Sequence, residues 1–206
     1  MFYDILDTKR TAILPLFREF KNDFYLAGGT ALALQIGHRD SYDFDFFSSQ
    51  DIDTAKLFEK IKQVFEKHKI LKVQDERNTL TVIIDENIKL SFFTYKYDLI
   101  EKSLDEENFR LASITDIACM KLAAITSRVT SKDYIDLYYI LQDLDLDELL
   151  VSTGRKLPDL DKGLILKSLV YFDDIETEPI VFKNNREVDF AQVKSFLKEK
   201  VLEIKI

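Results

Sequence analysis

Between Tyr42 and Phe47 polar and apolar side chains alternate without a break, so that Asp43 and Asp45 fall in one set and Phe44 and Phe46 in the other. Successive residues of a strand point to opposite faces, and the run therefore predicts a strand with one buried face and two carboxylates held together on the other. Two like charges held that close are costly unless a cation lies between them. A hard Mg²⁺ ion suits the pair, because it takes carboxylate oxygens, keeps several waters and completes its shell with substrate phosphates. Taken alone, the pair is equally the polar face of an ordinary edge strand.

Hydrophobic periodicity divides the 206 residues around this strand into a mixed first half and a helical second half. A helix is expected from about Thr8 to Phe20, then a short buried strand at Phe24–Ala27 ending on Gly28-Gly29. Thr30 is expected to cap a brief helix, Ala31–Ile36. A helix from Asp51 to about Lys67 carries Phe58, Ile61 and Phe65 on one face, and three β-rich runs follow at Ile70–Val73, Leu80–Ile84 and Ile88–Tyr95. Short polar turns between those runs predict an antiparallel meander. From Thr115 onward helices are expected at about 115–128, 131–143, 145–153, 159–171 and 189–201, with breaks at Gly154/Pro158 and at Glu178-Pro179 and a short extended piece at Ile180–Phe182. The expected division is a core at 1–97 and a helical lobe at 98–206, facing each other across a cleft.

Composition narrows the chemistry. The sequence carries sixteen Phe and no Trp, so phenylalanine should dominate the core. Its single cysteine, Cys119, cannot form an internal disulfide and fits a reducing cytoplasm, and no run is apolar enough to span a bilayer. A net charge of −8 argues against general coating of nucleic acid, which needs a protein-wide positive field. A local basic run at Lys56, Lys60, Lys62, Lys67, Lys69 and Lys72 is interleaved with Glu59 and Glu66 and reads first as a solvated helix face. Two histidines, His38 and His68, and one cysteine do not make a zinc site of the usual kinds, and neither a phosphate-binding Gly-x-x-x-x-Gly-Lys-Ser/Thr loop nor a Gly-x-Ser-x-Gly elbow is present.

Upstream of the acidic pair, Gly28-Gly29-Thr30 closes the first strand and opens a helix. Glycines allow close approach of the backbone, and a helix N-terminus presents N–H groups and positive potential to a phosphate. Thr30 and Ser41 each carry a hydroxyl that could reach the same triphosphate. Lys121 and Arg128 are seven residues apart, which predicts a shared helix face able to neutralise phosphates, while Lys132 and Asp136 are spaced for one face of the next helix. Each of these has a plain structural alternative: a turn, an N-cap, a solvated cation, an i,i+4 ion pair.

The order of the pieces is more specific than any of them. The stretch Leu26 to Phe47 (LAGGTALALQIGHRDSYDFDFF) resembles the first motif of the AbiEii/AbiGii toxin family of nucleotidyltransferases, and Asp116 to Leu122 (DIACMKL), Arg128 and Lys132 to Leu137 (KDYIDL) resemble its later ones. The resemblance implies an α+β fold, with a DNA polymerase β-like core on a mixed or antiparallel sheet and an appended helical lobe. It implies an active-site Ser41-x-Asp43, a second metal-binding carboxylate at Asp45, and functional roles for Lys121 and Asp136. The implied activity is Mg²⁺-dependent transfer of a nucleotide from an NTP to a hydroxyl of RNA, such as a tRNA 3′ end, or of a protein, by the toxin of a toxin–antitoxin or phage-defence pair. A cognate antitoxin is the implied partner. If RNA is the acceptor, its approach surface is expected at Lys121, Arg128 and Lys132, with the lysine-rich helix at 56–72 outside.

One departure bears on mechanism. Enzymes of this superfamily usually draw a third carboxylate from a later strand, and the corresponding run Ile88–Tyr95 offers Ser91 instead. Asp136 as the base, or a degenerate module that binds a nucleotide or partner without turnover, are the two readings this leaves.

Overall fold

The alternating run becomes β2 (Phe44–Ser48), the middle strand of a seven-stranded mixed sheet in a computed structural model that describes residues 1–175 and 177–204. On one side of β2 stands β5 (Ile88–Thr94), then β4 (Thr79–Ile84) and the edge strand β3 (Ile70–Glu76); on the other stand β1 (Tyr25–Ala27), β7 (Arg110–Leu111) and β6 (Leu104–Asp105). The β3–β4–β5 meander is antiparallel as its short turns predict, with Asn78, Asp85 and Glu86 taking the positive φ those turns need. β5 joins β2 in parallel, which places Asp45 beside Ser91 and Phe46 beside Phe92.

Phenylalanine fills the face opposite the carboxylates. The rings of Phe46 and Phe92 stack with centroids 4.7 Å apart, and Phe17 meets both Phe44 and Phe46 edge-on. Phe20 and Phe65 close the layer behind them. Phe17 and Phe20 arrive on a 3-10 helix, Leu14–Phe20, that follows α1 (Thr8–Ile13). The single helix expected over Thr8–Phe20 is thus tightened at Pro15, which has no N–H to give to an α-helical ladder.

Phe65 follows α3 (Thr54–Val64), whose buried residues Leu57 and Ile61 point into the same phenylalanine layer. The lysine-rich helix therefore lies on the side of the sheet away from Asp45. Lys60 pairs with Asp23 and Lys62 with Glu59, so the solvated-face reading holds and this helix does not flank the acidic pair.

The second half is helical as expected: α4 (Ile114–Ala124), α5 (Ser131–Asp143), α6 (Leu146–Lys156), α7 (Lys162–Val170) and α8 (Phe190–Leu202). Aspartates at 145, 161 and 189 cap three of them by accepting a backbone N–H. Gly154 does not break α6: it sits inside the helix with open space where a Cβ would go. The sheet itself continues past Tyr97, because β6 and β7 lie at 104–111 and β7 pairs with β1. One hydrophobic core runs through both halves. Among the described residues no helix is long and apolar enough to cross a membrane.

Replacing Phe46 by Ala removes the ring on which Phe17, Phe20 and Phe92 all pack, and should cost about 3–5 kcal/mol in urea unfolding. A loss below about 1 kcal/mol would mean that the layer collapses freely into the void.

Candidate active site

β1 ends at Ala27, and α2 (Gly28–Ile36) starts directly, three residues earlier than a Thr30 cap predicts. No side chain caps this helix, so its first N–H groups remain available to an anion. Gly28 is required twice over. Its φ is +75°, and a Cβ there would stand 2.9 Å from Asp45 Oδ2. A Cβ on Gly29 would come within 2.6 Å of the Arg39 guanidinium. Thr30 lies within the first turn, buried, and its hydroxyl bonds Ser41 Oγ at 2.7 Å and the carbonyl oxygen of Asp43. Its hydroxyl thus serves the loop that carries Asp43, at the edge of a cleft that Thr30 itself helps to line.

Gly28, Gly29, Ser41, Asp43, Asp45 and Lys121 line one cleft of about 780 Å³ between the sheet and α4, together with Arg128 and Lys132. A second hollow of about 600 Å³ at the far end of β2, beside Asp51 and Arg110, holds none of the predicted site residues. Within the cleft, burial and then the neighbouring Asp43 push the Asp45 carboxyl up, while Lys89, Lys121 and Arg128 act in the opposite sense. Lys89, which the sequence did not single out, sits two residues before Ser91 and places its ammonium 3.4 Å from Asp43. Among the described residues no third His, Cys, Asp or Glu joins the two carboxylates in a metal-holding cluster. Asp43 and Asp45 alone would be an incomplete shell, which a divalent ion would complete with waters and phosphate oxygens.

The far wall of the cleft is a charge network. Lys121, on α4, is almost fully buried and places Nζ 2.6 Å from Asp133 and 2.5 Å from Asp136. Asp136, on α5, has no exposed surface and also receives Arg39 in a fork, at 2.8 Å through both Nε and Nη2, and His38 Nε2 at 2.7 Å. Burial alone would push the Asp136 carboxyl up, but Arg39 and Lys121, with the bonds from His38 and Arg39, hold it well below the usual carboxylate range. Burial depresses His38 in turn, so the neutral ring donates from Nε2 to Asp136.

Three sequence expectations change here. Asp136 does not line the cleft, so it cannot take a proton from an acceptor. Arg128 lies beyond the end of α4 and shares no helix face with Lys121, yet both reach Asp133, Arg128 through Nε at 2.9 Å. Lys132 pairs with Glu178 and not with Asp136. The role of Glu178 and its neighbours carried no signal in the sequence. The segment from Pro179 to Val181 lines the cleft, and it is fixed by backbone bonds from Asp40 N–H to Val181 O (2.8 Å) and from Lys183 N–H to His38 O (3.1 Å). Arg39, at the centre of that contact, belongs to the polar turn whose side chains no periodicity could aim.

A sheet bearing one carboxylate, with a second on the residue just before the same strand, opposite an uncapped glycine-led helix and with a cationic helical wall, is the arrangement of a polymerase β-like nucleotidyltransferase. The chain belongs to the family described as nucleotidyl transferase AbiEii toxin, type IV TA system, whose profile matches residues 16–200. It is 38% identical over 186 residues to the uncharacterized protein aq_aa25 of Aquifex aeolicus (strain VF5), a match covering 88% of each chain. In fold it is similar to MenT4, the nucleotidyltransferase toxin Rv2826c of Mycobacterium tuberculosis H37Rv, with a TM-score of 0.64 and 17% identity over 99% of this chain and 86% of that one. JHP933 of Helicobacter pylori gives a TM-score of 0.57 at 19% identity, covering 94% and 88%.

The network makes a pH prediction. Asp133 and Asp136 are both depressed in the fold, so the stability they contribute is complete above the ordinary carboxylate pKa, about 4, and is lost as the pH falls through their lowered values. Asp136→Asn should cost about 3–5 kcal/mol at pH 7, by leaving Arg39 and Lys121 under-compensated, and should flatten the acid limb of the stability curve below about pH 4. Urea melts across pH check both; an unchanged acid limb would remove Asp136 as its source.

Proposed function

We propose that the cleft binds an NTP with Mg²⁺ held by Asp43 and Asp45, and transfers its nucleotide to an acceptor hydroxyl. The observation that carries this reading is Asp45 itself: a carboxylate pushed up by burial and by Asp43, packed on Gly28, at the floor of a cleft whose other wall is cationic. Bound there, Mg²⁺ would supply positive charge to the phosphates and to the reacting oxygens. The uncapped start of α2 and the hydroxyl of Ser41 orient the triphosphate. Lys121, Arg128 and Lys132 meet its negative charge from the helical side, and because Asp133 and Asp136 hold Lys121 in place, that charge is positioned before substrate arrives. The acceptor oxygen attacks the α-phosphorus in line; a new P–O bond forms, the bond to the β-phosphate breaks, pyrophosphate leaves, and the hydroxyl proton passes to solvent. Asp136 acts as a positioning residue for Lys121 and Arg39.

The acceptor we favour is RNA, with a tRNA 3′ end as the implied substrate and a protein hydroxyl as the alternative, in a toxin opposed by a cognate antitoxin. Family membership supports the toxin reading, and the cations at the cleft mouth support a polyanionic acceptor. With the lysine-rich α3 behind the sheet, the approach surface is the cleft mouth alone: Arg128, Lys132 and Lys89. A second reading, a binding module without turnover, is favoured by one observation, the registry of Ser91 beside Asp45 where a third acid would stand.

Labelled NTP incubated with tRNA and Mg²⁺ separates the two. Incorporation into RNA is expected with the wild-type chain, falling at least about a thousand-fold in Asp43→Ala. Binding of NTP without incorporation into either RNA or protein would favour the module, and full incorporation by Asp43→Ala would exclude Asp43 from the chemistry.

Asp45→Asn should abolish transfer yet raise stability. A carboxyl whose folded pKa is raised loses stability as the pH climbs through that value, so removing its charge at pH 7 should stabilise the metal-free protein by about 0.5–2 kcal/mol. Thermal melts with and without Mg²⁺ read this: the ion should stabilise the wild type and leave Asp45→Asn nearly unmoved. Collapse of the variant would mark Asp45 as a structural carboxylate.

A further inference from the structure

Arg10 lies outside the stretch that the family profile matches, on the short helix α1, and is 4% exposed. A buried guanidinium is unfavourable unless its donors are used, and here each branch has a partner. Nη1 pairs with Asp7, which also caps α1 by accepting the backbone N–H of Arg10 at 2.8 Å. Nε donates to the carbonyl of Tyr42 at 2.7 Å, and Nη2 to the carbonyl of Asn87 at 2.5 Å. The guanidinium carbon also sits 4.9 Å from the centre of the Tyr42 ring.

Those two carbonyls are not arbitrary. Tyr42 immediately precedes Asp43, and Asn87 immediately precedes β5, the strand that carries Lys89 and Ser91. Because β2 and β5 are parallel neighbours, the turns leading into them lie at the same end of the sheet, and one planar fork spans both. From the other side, the buried hydroxyl of Thr30 grips the carbonyl of Asp43 itself. The peptide units flanking the Asp43 Cα are thus held by side chains from two different helices, although Asp43 lies just before β2 begins.

We propose that Arg10 is a positioning residue for Asp43: it fixes the turn before β2 against the turn before β5, and so sets where the Asp43 carboxylate stands relative to Asp45 and Lys89. Its consequence for metal binding rests on the divalent-cation reading given above; the clamp itself does not. Lysine at this position keeps the charge but not the planar fork whose Nε and Nη2 meet the two carbonyls from separate atoms, whereas alanine releases both.

The full chain and its Arg10→Ala and Arg10→Lys variants can be compared by two measurements. Titration with Mn²⁺ alone, followed by electron paramagnetic resonance, should show the dissociation constant raised about ten- to hundred-fold in Arg10→Ala and by an intermediate amount in Arg10→Lys. Hydrogen exchange of the metal-free proteins should quicken at least about ten-fold in the segments 41–45 and 86–90 while α4 and β4 keep wild-type protection. If Arg10→Ala does not fold, Arg10→Lys decides by the same two measurements. Wild-type Mn²⁺ affinity in a folded variant, or exchange that quickens evenly across the whole sheet, overturns the proposal. Should the wild type itself take up no Mn²⁺, the cation reading fails, and local against uniform exchange still decides the clamp.

Discussion

A single carboxylate with no exposed surface, Asp136, joins the two halves of this protein. Taking such a charge out of water costs several kcal/mol, and a lone partner seldom offsets it. Here the offset comes from three directions: a fork from Arg39, an ammonium from Lys121 and a ring N–H from His38. Arg39 and His38 belong to the turn between α2 and β2, and Lys121 belongs to α4, so satisfying the charge fixes the helical wall against the sheet. The cleft between them has its shape because Asp136 must be surrounded. Its direct link to Lys121 explains how an interior residue can govern a site it never touches.

Much of this was legible in the sequence, and what was not has physical reasons. Alternation within Tyr42–Phe47 gives the strand and its two faces, since a period of two admits little else, although β2 begins only at Phe44 and leaves Asp43 in the preceding turn; short polar turns give the meander. The helices from α4 to α8 follow from periodicity. Pairing partners were not legible. Lys132 and Asp136 have the spacing of an ion pair, but nothing local tells that Glu178 lies nearer to Lys132 or that Arg39 outcompetes it for Asp136. The two motif stretches that contain Lys121 and Asp136 mark residues that belong together; only the fold shows that one stands in the cleft wall and the other behind it. Two-residue strands such as β6 and β7 are too short for any pattern to announce.

The chain carries a net charge of −8, yet its cleft faces substrate with lysines and arginines. The two facts are compatible because most of those cations are already held by carboxylates: Lys121 and Arg128 by Asp133, Lys132 by Glu178, Lys89 by Asp43. On the proposed reading, a triphosphate entering the cleft would compete with these carboxylates for the same donors. Selectivity would follow, since a ligand must offer several well-placed negative oxygens at once to displace them, and a singly charged metabolite gains too little.

The contact between the turn at 38–40 and the segment at 181–183 has a consequence for synthesis. Residues that make the floor of the cleft are translated well before the segment that carries Glu178 and packs against the turn of Arg39 from outside. During synthesis the nascent chain therefore carries the carboxylates before it carries the enclosure that aligns their neighbours. Closure of the cleft thus waits on a segment far along the chain from the residues it encloses, and the proposed site is complete only once the two have folded together.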